Sequence, residues 1–124
     1  GIILICSYLI LEIFMKILVK KLNGVFSIFG MFVMIADIQL KEGVEEDFKN
    51  WFSESNKVLS NFPGFLSRRF LKSPDGTLRI LVEHESKETF IKMHQSPEHE
   101  KIHPKGHSFM SSDPVRKTFT VVAE

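Results

Sequence analysis

Residues 31–124 of this 124-residue chain predict an α+β domain of βαββαβ order that works as a homodimer. Three observations carry this expectation. Strand-like and helix-like apolar spacings alternate in that order. Gly, Pro, Asn and Asp cluster at the junctions between them. The first and last strands read as apolar on both faces. A four-stranded sheet with helices on one side would leave such strands uncovered, and a second sheet packed face to face supplies the cover.

The elements follow in order. FVMIADIQL (32–40) is a strand, and Lys41-Glu42-Gly43 a turn. Residues 44–60 read as a helix. Val44, Phe48, Trp51, Phe52 and Leu59 recur at helical spacing, and Glu45, Glu46 and Asp47 occupy the first turn, where the macrodipole favours acids. Phe62-Pro63-Gly64 ends it. FLSRRFLK (65–72) and TLRILVEH (77–84) are strands joined by the turn Ser73-Pro74-Asp75-Gly76. Ser86, three residues before Thr89, caps a second helix that carries Phe90, Ile91 and His94. A short helical turn is expected over 97–103, broken by Pro104-Lys105-Gly106. VRKTFTVVA (115–123) is the last strand.

Residues 1–30 differ in character. Residues 1–11 carry no charge, and Glu12, Lys16 and Lys20 then recur every four residues along one helical stripe. A membrane span needs about 20 uncharged apolar residues, and Glu12 and Lys16 interrupt the run. A signal peptide carries its positive charge before the apolar stretch, whereas these lysines follow it. We read 1–30 as an apolar helical extension, upstream or added, beside a domain at 31–124, and disfavour a membrane anchor. Met15 and Met31 are both candidate starts.

Charge and cysteine content narrow the function classes. Residues 1–30 hold Lys16, Lys20, Lys21 and Glu12, whereas residues 31–124 hold 13 basic and 14 acidic side chains. A nucleic-acid module is clearly basic on one face. Here only Arg68-Arg69 hints at that, and the plain reading of the pair is exposed charge on a strand. Cys6 is the single cysteine, which excludes a disulfide framework and a cysteine-based zinc site. It suits a reducing compartment, so a cytoplasmic location is expected. Twelve Phe can fill a small core or line an apolar pocket.

Several polar residues stand out. His84 ends the third strand, where it could move protons near neutral pH, or be a strand-end residue without a role. Asp37 is a charge within an apolar strand. Desolvated, it would be a base; otherwise it faces an edge or pairs with Arg68, Arg69 or Arg116. His94, His99, His103 and His107 form a cluster. His99 and His103, four apart, could offer two nitrogens to a metal, but Pro104 argues against His107 continuing that face, no carboxylate completes a signature, and no metal is expected. Trp51 and Phe52 read as core.

The order and local text resemble the antibiotic biosynthesis monooxygenase family of ferredoxin-like, dimeric α/β-barrel proteins. The resemblance spans about residues 32–123. It rests on LKEG after the first strand, on FPGFLSRRF, on ESKETFIKMHQSPEHEKIH, and on a strand after SSDP; the stretch His94-x-Ser96-Pro97-x-His99-x-x-x-His103 is its most specific part. It implies a homodimer in which two sheets make one barrel, with a pocket in each subunit between helices and sheet. It also implies a range of activities: cofactor-free oxygenation of quinols and polycyclic aromatics, haem degradation, or action on small signalling molecules. His103 matches the pocket histidine of the haem-degrading branch. The Trp position of that branch falls at His84, and its Asn position near Ala36 or Asp37, so two of three roles differ. The resulting expectation is a cofactor-independent monooxygenase of an electron-rich aromatic or quinol-type molecule, with His103, His84 and Asp37 as catalytic candidates. The alternatives are a protein that binds haem or another small apolar ligand, and a non-catalytic dimeric scaffold.

Overall fold

The computed structural model describes residues 10–15 and 30–124. Residues 10–15 are helical with exposed apolar side chains. The remainder of the expected N-terminal extension lies outside the described residues. No helix among the described residues is long and apolar enough to cross a membrane.

From Met31 onward the chain runs β1 (Phe32–Ile38), α1 (Glu45–Leu59), β2 (Phe65–Lys72), β3 (Leu78–His84), α2 (Lys87–His94), α3 (Pro97–Ser108) and β4 (Val115–Thr120). The four strands form one antiparallel sheet in the order β2-β3-β1-β4. The α+β fold of βαββαβ order is as the sequence predicts, with one extra helix.

Parity along β1 sorts the sheet into two faces. Phe32, Met34, Ala36 and Ile38 are buried, and each faces the helices. Ile80 and Val82 of β3 join them through the register Ala36–Ile80 and Met34–Val82. Phe48 and Phe52 of α1 close this core from above, with Phe48 making ring contacts to Trp51, Phe70 and Phe109. The other face carries Val33, Ile35 and Asp37, opposite Glu83, Leu81 and Arg79 on one side and Phe119, Lys117 and Val115 on the other.

The local signals act as their chemistry requires. Ser86 and Thr89 make a reciprocal capping box at the start of α2. Gly64 and Gly76 adopt positive φ of 82° and 90° at the turns that precede β2 and β3.

Two expectations are corrected. Pro104 does not end the last helix: α3 continues to Ser108 with Pro104 inside it. A proline there forfeits one backbone hydrogen bond and costs about 3 kcal/mol in isolation. Packing overrides it. Gly106 is buried against the Trp51 indole so closely that even a Cβ would overlap the ring. The end of α3 is also tied to the segment that follows β1, through Lys41 N–H to the Phe109 carbonyl at 2.9 Å and Ser111 N–H to the Gln39 carbonyl at 2.9 Å. The second correction concerns β4, which stops at Thr120 and is not apolar on both faces. By register its helix-facing residues are Arg116, Thr118 and Thr120, and its outer face carries Val115 and Phe119 with Lys117 between them.

Candidate active site

A cavity of about 70 Å³ lies between the inner face of the sheet and the α2–α3 pair. Met34 and Ala36 of β1 with Ile80 and Val82 of β3 make an apolar floor. The walls differ: His94 from α2, His99 and His103 from α3, Arg68 from β2 and Arg116 from β4 all reach it.

The histidines form a column. The i, i+4 spacing of His99, His103 and His107 sets three rings one above another on α3. Ring centroids are 5.5 Å apart for His99–His103 and 6.0 Å for His103–His107. His94 extends the column from α2, 4.4 Å from His99, and Phe90 stacks beyond it at 5.6 Å. Because α3 survives Pro104, His107 does continue the face, contrary to the expectation from sequence. The rings turn their faces to one another, and among the described residues no group of three metal-ligating side chains converges.

Three of the rings, His94, His99 and His103, are biased toward the neutral form. Burial lowers His99 to about 4, helped by the neighbouring His94 and His103 and by the charges of Arg68 and Arg116. Burial and Arg116 also lower His94 and His103. Arg116 approaches His103 directly, Nη2 to Nε2 at 3.4 Å. The outermost ring, His107, is exposed and pairs with Asp113 at 3.0 Å.

Arg68 is held by neutral groups. Its Nη1 donates to Ser55 Oγ and Asn56 Oδ1, both at 2.7 Å, and to the Phe52 carbonyl at 3.4 Å. Its guanidinium lies 4.1 Å over the Phe52 ring and 5.5 Å from the Trp51 ring. Asn56 Nδ2 donates back to the Arg68 carbonyl at 2.8 Å, which fixes strand and side chain together. Burial lowers Arg68 to about 10, so it remains a cation at neutral pH.

Of the three catalytic candidates, the structure places only His103 on this cavity. Asp37 lies on the opposite face of the sheet, half exposed, where Arg79 Nε donates to its Oδ1 at 2.6 Å and holds its carboxyl below the usual range. Its partner is thus Arg79, the residue opposite it in register, rather than Arg68, Arg69 or Arg116. His84 is neither exposed nor at the cavity. It is fully buried behind α2, with Nδ1 3.0 Å from Thr89 Oγ1 and Nε2 3.3 Å from Met93 Sδ, edge-on to Phe65 and Phe90.

The profile of the antibiotic biosynthesis monooxygenase family matches residues 31–105, more than half of the chain. The chain belongs to this family. Solved structures agree at the level of the fold. A conserved protein from Methanosarcina mazei Go1 superposes with a TM-score of 0.71 at 13% identity, covering 77% of this chain and 96% of that one. SnoaB, a cofactor-independent oxygenase from Streptomyces nogalater, gives 0.68 at 12% identity, covering 77% and 96%. Rv0793 from Mycobacterium tuberculosis gives 0.67 at 13%, covering 76% and 97%. No curated protein matches the chain.

Within this monooxygenase-family domain, Arg68 is a cavity residue that sequence reasoning missed. The pair Arg68-Arg69 reads as exposed charge on a strand. Arg68, however, shares the inner face with Phe70 and lies opposite Val82. The period-2 alternation of β2 carried that signal, since Phe70 is an evident core residue two positions on.

Proposed function

We propose that this protein is a cofactor-independent monooxygenase acting on a small hydroxylated aromatic, and that His103 is its proton acceptor. The observation that carries the reading is the row of His94, His99 and His103, biased toward the neutral form, facing two guanidinium groups across an apolar floor. A hydroxyarene entering this cavity meets a base that is unprotonated at neutral pH and cations that stabilise the resulting phenolate. An electron-rich phenolate reduces dioxygen without a cofactor. The oxygen then bonds to the ring carbon para to the hydroxyl. One oxygen atom stays as the new carbonyl of a quinone, and the other leaves as water with the two hydrogens the substrate gives up. The chain's own work is to bind, deprotonate and exclude water.

The cavity as described holds only a few water molecules. Admission of a ring therefore requires the wall to move. Arg116, exposed on the edge strand β4, is the wall residue we assign to this movement. Its departure from His103 Nε2 uncovers the lone pair that accepts the proton. A haem macrocycle would demand far greater displacement, which favours the cofactor-free reading over haem binding. The domain acts as a homodimer in this reading. The outer face carries the exposed Val115 and Phe119 and the half-buried Val33, Ile35 and Leu81, with the Lys117 ammonium lying over the Phe119 ring, and these apolar side chains suit a second sheet.

Oxygen uptake with 1-naphthol as substrate tests the proposal. Uptake should depend on protein, persist with chelator present, and fall about a hundredfold in His103→Ala, the scale of losing one acid–base group. Uptake indifferent to protein, or a haem Soret complex forming at stoichiometric haem without any turnover, would overturn it.

A further inference from the structure

The cavity carries a charge imbalance that deprotonating a hydroxyl does not explain. Its wall contains two arginines and four histidines and not one aspartate or glutamate. Elsewhere four cations sit beside acids, all of them exposed: Arg79 with Asp37, Lys49 with Glu45 and Glu46, Lys57 with Glu54, Lys72 with Glu45. Arg68 is more deeply buried than any of these, yet among the described residues it has no acidic partner. A cation taken out of water is costly unless an anion answers it.

The contacts of Arg68 show how the charge is kept available. Its three acceptors are a hydroxyl, an amide and a carbonyl, all gathered on Nη1. They orient the guanidinium without cancelling its charge. The Phe52 ring covers one of its faces. The edge formed by Nε and Nη2 makes no hydrogen bond among the described residues. That edge is the planar two-donor fork that matches the two oxygens of a carboxylate.

We propose that the ligand of this cavity is an aromatic acid, its carboxylate seated on the Nε–Nη2 edge of Arg68 and its ring on the Met34–Ala36–Val82 floor. The inference rests on the oxygenase reading only for the hydroxyl that reacts at His103. The carboxylate anchor fixes the ring so that one edge is presented to the histidine column. Arg116, at the exposed rim, draws the anion in and closes over it.

Two probes of the same shape and different charge test the site without turnover: 2-naphthoate and 2-naphthamide, titrated into the full chain by calorimetry. The naphthoate should bind at least about tenfold more tightly, the scale of one charge-assisted hydrogen bond. In Arg68→Gln the preference should disappear. Should that variant lose its fold, the Arg68 Nε–H resonance of the unmodified protein answers the same question, since it must shift on adding naphthoate. Equal affinities, undetectable naphthoate binding up to its solubility limit, or an unmoved Arg68 resonance would each overturn the site. The two readings separate cleanly. Naphthoate preference without oxygen uptake on either 1-naphthol or 5-hydroxy-2-naphthoate removes the oxygenase and leaves the acid site; uptake on 1-naphthol without that preference does the reverse.

Discussion

Acidification should destabilise this protein from within, and His84, fully buried and outside the cavity, isolates the effect. The ring is fully buried, with a hydroxyl on one side, a thioether on the other, and no carboxylate among these contacts. Burial therefore lowers it from 6.5 to about 4. Between those values the unfolded chain binds a proton that the folded chain refuses, so stability rises with pH through that window. The contribution is complete above the unfolded value and is lost as pH falls toward the folded one. From about pH 7 to about pH 5 this single ring costs about 2 kcal/mol. That is a large share of the roughly 5–15 kcal/mol typical of a domain. His94, His99 and His103 are lowered too and add in the same direction. Urea unfolding at fixed protein concentration, at both pH values, measures the slope. His84→Leu fills a similar volume and cannot titrate. The Thr89 hydroxyl still donates to the Ser86 carbonyl at 3.0 Å, so it is not orphaned. The variant should lose about 2 kcal/mol of the pH-dependent difference while retaining the part due to the column. An unchanged pH dependence in His84→Leu, or a native protein equally stable at both pH values, would refute the reasoning.

Two further outcomes follow from packing. Phe119→Asp places a charge among the apolar side chains of the outer face; interfaces of this kind bury on the order of 2,000 Å², so light scattering should show monomer where the unaltered chain is a dimer, and a native chain already monomeric at micromolar concentration counts against the pairing. Gly106→Ala, which on an exposed helix would stabilise by about 1 kcal/mol, should instead cost about 1–3 kcal/mol because the Cβ overlaps the Trp51 indole; a raised melting temperature would show that α3 lifts off α1 at no cost.

The fold was legible because its signals are local and agree with one another. The Ser86 cap, the Pro74-Asp75-Gly76 turn and the Phe48/Phe52 spacing each act within a few residues, and each matches the structure. The continuation of α3 was illegible for the opposite reason. Pro104 is a local stop signal, and what defeats it is a contact with Trp51, far earlier in the sequence. Nothing within the segment PEHEKIHPKGHS announces that partner. The same misreading hid His107 from the column.

The site itself turned on parity. β1 offers two apolar sets, Met34, Ala36 and Ile38 on one face, Val33 and Ile35 on the other, and Asp37 belongs to the second. With both sets apolar, alternation alone could not say which face meets the helices, so a buried carboxylate beside His103 was a consistent reading. Register decides it: Asp37 lies opposite Arg79, and the two neutralise each other on the outer face. Removing that acid from the cavity changes its chemistry more than adding a residue would. A cavity with Asp37 inside would hold its own counter-ion and raise the affinity of the histidines for protons. Without it His94, His99 and His103 are biased toward the neutral form, the guanidinium groups have no acid on the cavity wall, and the negative charge we propose the cavity receives has to arrive with the ligand.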